Sequence, residues 1–268
     1  MSYKAVLSPC IGICELDAQG LCRGCHRTVR EIAAWSTLGD DARLHLMSTV
    51  LPQREHAAAI AARAQPADPL VRIVRALHPL GCPPLAPAWN ADGIADLIDD
   101  GAPRVPAAVL IALIERAHGH HVLFTRRTHT LRRHAGEVSF PGGRVDPGDR
   151  CDVSAALREA EEEVGLPGSA VQPLGFLDPY DTISAFRILP VVARVDAEAV
   201  LRPQPAEVSE AFEVPLAFLL DPGNCERVEG EFRGRVRHWF QFRHGGHRIW
   251  GATAAILVNL RMRLAEVE

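Results

Sequence analysis

Apolar residues run almost without interruption through AAVLIALIE from Ala107. RAHGHH then supplies a turn, and HVLFTRR predicts a second strand. Two more strand-like runs lie at 171–177 and 187–195, and 227–242 predicts a hairpin turning at Gly230 to Gly234. Between these strands the period changes to that of a helix. At roughly 100° per residue, Val153, Leu157, Ala160 and Val164 share one face and Glu159, Glu162 and Glu163 the other. Gly165 is placed to end that helix in a left-handed cap. HRIWGATAAILVNL predicts a strand leading into a closing amphipathic helix, apolar at Ala254, Ile256, Leu257, Leu260 and Leu264.

Upstream, the pattern predicts a short amphipathic helix over 71–77 and a Pro-rich surface segment over 80–87. RAQPADP, 63–69, reads as part of a linker. The first sixty residues form a module of their own. There Thr28 and Glu31 make a capping box for a helix carrying Ile32 and Trp35, a second helix covers 41–50, and a third follows Pro52. The expected organisation is a module at 1–60, a linker at 61–70 and a large domain at 71–268. Alternating strand and helix patterns alone specify an α/β or α+β domain.

Composition narrows the class. A formal net charge of −4 supplies no electrostatic reason to bind nucleic acid. No run reaches the ~18 apolar residues of a membrane span, and the amino terminus lacks a secretory pattern. Seven cysteines are an odd number, four of them clustered near the start. That is no disulfide framework. It points to a reducing, cytoplasmic setting with one metal or cluster site.

Cys10, Cys14, Cys22 and Cys25 form a C-x3-C-x7-C-x2-C pattern. Two close pairs let two turns present four thiolates to one ion, with His26 able to replace a sulfur. Zinc or an iron–sulfur cluster satisfies such a set. Over residues 1–52, SPCIGICELD…GLCRGCHRT…EIAAW resembles a short family of bacterial proteins of unknown function, often described as predicted Fe–S proteins. His118, His120 and His121 fall on the predicted turn with no carboxylate at fixed spacing, and read as a solvated loop.

Glutamates stacked at i, i+3 and i+4 repel, each pair by about 0.2–0.5 kcal/mol. A solvated acidic face is the bland explanation. A hard divalent cation that also grips substrate phosphate is the functional one. The surrounding residues decide between them: GGRVDPGDRCDVSAALREAEEEVGL resembles the Nudix box, G-x5-E-x7-R-E-U-x-E-E-x-G-U. Arg158, Glu159, Ala160, Glu162, Glu163, Gly165 and Leu166 fill its second half. The first half departs from it, with Asp149 in place of Glu and one extra residue before Arg158.

LFTRRTHTLRRHAGEVSFPGGR further resembles the signature of the coenzyme A pyrophosphatase branch of that family. Arg126, Arg127, Arg132 and Arg133 are forks suited to phosphate oxygens, although any one of them could be a solvated strand end. Over about 70–268 the resemblance implies a Nudix α/β/α sandwich around a mixed sheet. It also implies Mg²⁺ or Mn²⁺ held by Glu159, Glu162 and Glu163, with the Gly142-Gly143 loop beside them. Arg126, Arg127, Arg132, Gly142 and Gly143 would bind substrate, and Arg158 would orient the glutamates.

Glu207, expected in a loop before a short helix, is either a further metal ligand or the general base, or only a helix-terminal acid. Glu162 is the other candidate base. The implied reaction cleaves the diphosphate of coenzyme A or an acyl derivative into 3′,5′-ADP and 4′-phosphopantetheine. ADP-ribose or a related nucleotide is the alternative substrate, and a non-catalytic metal-responsive regulator the alternative class. The sequence leaves a homodimer open, and a third alternative is that the two modules are merely fused, the N-terminal one recruiting an unknown partner.

Overall fold

The computed structural model describes residues 8–17, 20–56, 69–98, 102–129 and 135–267. It divides into two compact units, Met1–Pro69 and Leu70–Glu268. The linker expected over 61–70 lies outside the described residues, apart from its last two positions at the start of a helix.

In the first unit, α1 (Val29–Ala34) opens on the capping box of Thr28 and Glu31. Next, α2 (Asp40–His45) runs into a π-helical turn, Leu46–Val50, with 51–56 helical beyond it. Arg54 bonds the two carboxylate oxygens of Glu31 at 2.7 and 3.1 Å and the carbonyl of His26 at 3.1 Å. That clamp joins the last helix to the first. Cys22, Cys25, Trp35, Leu51 and, unusually, Arg27 are buried.

The second unit is built on a mixed sheet. Its spine is β1 (Val105–Arg116), antiparallel to β2 (Gly119–Arg127) and β4 (Gly142–Arg144), and parallel to β7 (Phe186–Val195). Outside β2 lie β3 (Val138–Ser139) and β8 (Val208–Pro215); outside β7 lie β5 (Val171–Phe176) and β6 (Tyr180–Asp181). Side chains alternate along a strand. Ala108, Leu110, Ala112 and Ile114 therefore enter one core, and Ile111 and Leu113 enter the other. Both faces of β1 are covered, which is why its sequence is apolar throughout rather than alternating.

One core packs against α4 (Asp152–Val164) through Ala155, Ala156, Ala160 and Val164. The opposite core is closed by α3 (Pro69–Ala76) and by the long α6 (Gly251–Glu266), with α5 (Leu216–Leu220) beside them. A smaller antiparallel sheet, β9 (Glu226–Phe232), β10 (Arg235–His244) and β11 (His247–Trp250), feeds into α6. The architecture is helix, sheet, helix, an α/β sandwich. No described helix is long and apolar enough to cross a membrane.

Three expectations need correction. His120 and His121 belong to β2, because the turn after β1 is confined to 117–118. Gly230 lies inside β9, and the hairpin turns at Arg233-Gly234, where both residues have positive φ. Glu207 precedes a strand, not a helix, so the reading as a helix-terminal acid fails.

Candidate active site

One end of α4 and the tip of β4 bring the acidic residues together. Gly165, at φ 66°, terminates the helix, and its N–H donates to the Glu161 carbonyl at 2.9 Å. Glu159, Glu162 and Glu163 do not share one solvated face. Glu163 is 3% exposed, turned toward the sheet, whereas Glu162 points outward. The Gly142 amide donates to Glu163 Oε2 at 3.2 Å, and Arg127 Nη1 lies 3.7 Å from its Oε1. Burial pushes the Glu163 carboxyl up to about 7, against the pull of Gly142 and Arg127, with the Glu159 and Glu207 charges adding to the rise. Burial likewise raises Glu159, where the Arg158 bond opposes it and the Glu162 and Glu207 charges add to it. Glu207, from a separate part of the chain, thus lies near enough for its charge to act on both Glu159 and Glu163.

Arg158 organises the outer side of this cluster. Its Nη1 donates to Glu159 Oε1 and to Glu162 Oε2, each at 3.0 Å. Its Nε and Nη2 donate to the two oxygens of Asp149 at 3.2 and 3.0 Å, and Nη2 also reaches the Arg144 carbonyl at 3.0 Å. The departure at Asp149 therefore leaves the pairing intact: the loop bends so that the shorter acid still meets the guanidinium. Arg158 is held protonated by that bond above all.

The two loop glycines have different physical duties. At Gly142, φ is +151° and an added Cβ would lie 2.4 Å from the Ala108 carbonyl oxygen. That position is reserved by the backbone of β1. At Gly143 an added Cβ would meet the Glu159 carboxylate at 2.5 Å, so the missing side chain is the space that the carboxylate occupies.

The arginines separate. Arg127 faces Glu163, and its buried Nε has no partner among the described residues. Arg126, one step along β2, pairs instead with Glu210 at 3.3 Å. Glu210 also meets His247 Nε2 at 3.1 Å, and His247 stacks on Phe212 with ring centroids 3.6 Å apart. The alternation of β2 was the signal that distinguishes the two arginines. Arg132 and Arg133, with Leu131 and His134, lie outside the described residues.

Among the described residues no three His, Cys, Asp or Glu side chains form a ready-made metal cage. At the acidic site the donor chemistry nonetheless fits a hard divalent cation. The donors are all oxygen, Gly143 leaves room for one of them, and burial makes a charged Glu163 costly. In the first unit, Cys22 and Cys25 are buried and Cys10 and Cys14 exposed. The Cys22 thiol donates to the Ile13 carbonyl at 3.0 Å, and an added Cβ at Gly24 would lie 2.8 Å from the same oxygen. The segment carrying Cys10 and Cys14 is therefore seated on the turn carrying Cys22 and Cys25. Burial raises the Cys25 thiol, but bonds from Arg27 and Cys22 outweigh it and leave the group below its usual range.

Comparison with known proteins places both units. Residues 104–240 match the family described as NUDIX domain, and residues 8–55 match a protein family of unknown function, DUF1289. The chain is 40% identical over 159 residues to the uncharacterized Nudix hydrolase NudL of Escherichia coli K12, spanning 59% of this chain and 82% of that protein. It is 41% identical over 165 residues to the NudL of Pectobacterium atrosepticum, spanning 60% and 83%. Among solved structures, the Nudix hydrolase RenU of M. smegmatis aligns over 62% of this chain and 89% of its own. Its TM-score is 0.43 at 20% identity.

Proposed function

The chain belongs to the Nudix hydrolase family, and from that premise we propose that it cleaves the diphosphate of coenzyme A or of an acyl derivative. The products are 3′,5′-ADP and 4′-phosphopantetheine. One observation carries the reading: Arg127, from the segment resembling the coenzyme A pyrophosphatase signature, stands 3.7 Å from Glu163 with a buried N–H that has no partner among the described residues. A phosphate fork and a metal-type carboxylate therefore address the same point.

Glu159 and Glu163, with Glu162 or Glu207 completing the set, would hold Mg²⁺ or Mn²⁺. When bound there, such a cation neutralises the diphosphate and makes a water more acidic. Arg127 offers donors to the non-bridging oxygens, where charge spreads as the bond breaks. Arg158, fixed by Asp149, holds Glu159 and Glu162 in place and does not reach substrate. Glu207 takes the proton from the attacking water. Its rival Glu162 points outward and is already tied to Arg158 at 3.0 Å. In the first unit, the four cysteines hold a single zinc ion or an iron–sulfur cluster.

The test is mass spectrometry of products after incubating the chain with Mg²⁺ and, in parallel, coenzyme A, dephospho-coenzyme A and ADP-ribose. The reading expects 3′,5′-ADP and 4′-phosphopantetheine, with coenzyme A consumed fastest. Faster loss of ADP-ribose would transfer the activity to another nucleotide, and loss of none would leave a nucleotide-binding regulator.

A further inference from the structure

Among the described residues Arg27 is the most deeply buried cation of the first unit, at 3% exposure, and it has no salt bridge there. Three other arginines there have carboxylates: Arg54 pairs with Glu31, Arg43 with Asp40 and Arg23 with Glu15. What Arg27 touches is sulfur and an aromatic face. Its Nε donates to Cys25 Sγ at 3.3 Å, and its guanidinium lies 4.6 Å from the centre of the Trp35 ring.

A buried guanidinium costs several kcal/mol of lost hydration unless an anion is beside it. A neutral thiol is a weak acceptor and the ring supplies about 1–2 kcal/mol, so neither balances the charge. A thiolate would. Four thiolates on one divalent ion carry a net charge of about −2, which is itself costly in an interior without a counter-charge. Each half of this arrangement supplies what the other lacks.

The backbone of the Cys22–Arg27 turn sets Arg27 over Cys25, although the four sulfurs are not gathered into a cage. The turn is closed by His26 N–H to the Cys22 carbonyl at 2.7 Å and Cys22 N–H to the Arg27 carbonyl at 2.9 Å. His26 takes φ 54° to complete it. Arg27 thus leaves the turn with its side chain returned over Cys25, and Trp35 of the C-terminal end of α1 forms the floor.

We propose that Arg27 is a positioning residue, the built-in counter-charge of a thiolate-ligated ion or cluster held by Cys10, Cys14, Cys22 and Cys25. This rests on the reading that those cysteines bind a metal. The full chain, stripped of metal and titrated with Co²⁺, reports thiolate ligation through the sulfur-to-cobalt charge-transfer band. This band does not arise from carboxylate ligation. Arg27→Met should weaken Co²⁺ binding at least tenfold with the helical circular dichroism retained. Arg27→Lys should recover most of that loss, because it keeps the charge while changing the shape. Should Arg27→Met not fold, Arg27→Gln, neutral but still a donor, is read instead and should show the same loss. Wild-type affinity in the neutral variant, or a loss in the lysine variant as large as in the neutral one, overturns the role of Arg27. Absence of the band in the wild-type chain overturns the cysteine reading beneath it.

Discussion

Asp149 and Arg158 meet through two hydrogen bonds, 3.2 and 3.0 Å long, across a loop one residue longer than the usual box and with a side chain one methylene shorter. The Arg158 bond, then the Asp146 amide, holds the Asp149 carboxyl below its ordinary range, so the pair stays ionised at neutral pH. Since Arg158 also carries Glu159 and Glu162, Asp149→Ala should lower turnover by about 10- to 100-fold, the usual cost of losing a residue that orients metal ligands. Steady-state kinetics would check this, with the loss expected in kcat and not confined to KM.

Gly143→Ala and Gly142→Ala should fail in different ways. The added methyl at 143 meets the movable end of Glu159, so the chain should fold with near-normal stability and lose tenfold or more of its Mn²⁺ affinity and turnover. At 142 the methyl meets the Ala108 carbonyl from a positive-φ backbone, which should cost on the order of 3 kcal/mol of stability. Denaturant unfolding alongside a metal titration separates the two.

Asp178 ties three elements together: it accepts from Asn259 at 2.8 Å and Arg263 at 3.0 Å and meets His78 Nε2 at 2.7 Å. Burial pushes its acid range up, but the bonds from His78, Asn259 and Arg263 outweigh that and leave it depressed. A depressed carboxylate contributes stability that is present above the unfolded value, about 3.9, and lost as pH falls through the lower folded value. Asp178→Asn should therefore cost about 1–3 kcal/mol at neutral pH, and the difference from wild type should shrink below about pH 4. Unfolding curves from pH 7 to 2.5 test it; a pH-independent difference would contradict it.

Ala185 stands at φ 67° in the turn between β6 and β7, where a Cβ is strained. Ala185→Gly should relieve that strain and raise stability by about 0.5–1 kcal/mol, or roughly 2 °C in Tm for a unit of this size. Differential scanning calorimetry would read the shift.

Much of this was legible in the residues because the relevant forces are local. The period of 152–164, the stop at Gly165 and the unbroken apolar run of β1 follow from backbone geometry and two-sided burial. The burial of Glu163 was hidden, since a helical wheel cannot say how far the sheet reaches around the helix. β8 was hidden for another reason. Its register shifts opposite Arg126 and Arg127, so the polar–apolar alternation that announces a strand is broken. Type and adjacency group Arg126 with Arg127, whereas their alternation along β2 separates them, Arg126 toward Glu210 and Arg127 toward Glu163.

Under the proposed function Glu163 and its neighbours hold a divalent cation against a diphosphate. Free Mn²⁺, measured by electron paramagnetic resonance during titration of the wild-type chain and of Glu163→Gln, tests this. Saturable binding by wild type, at least tenfold weaker in the variant with unchanged circular dichroism, is the expected result. Equal binding by the two would remove Glu163 from the metal site.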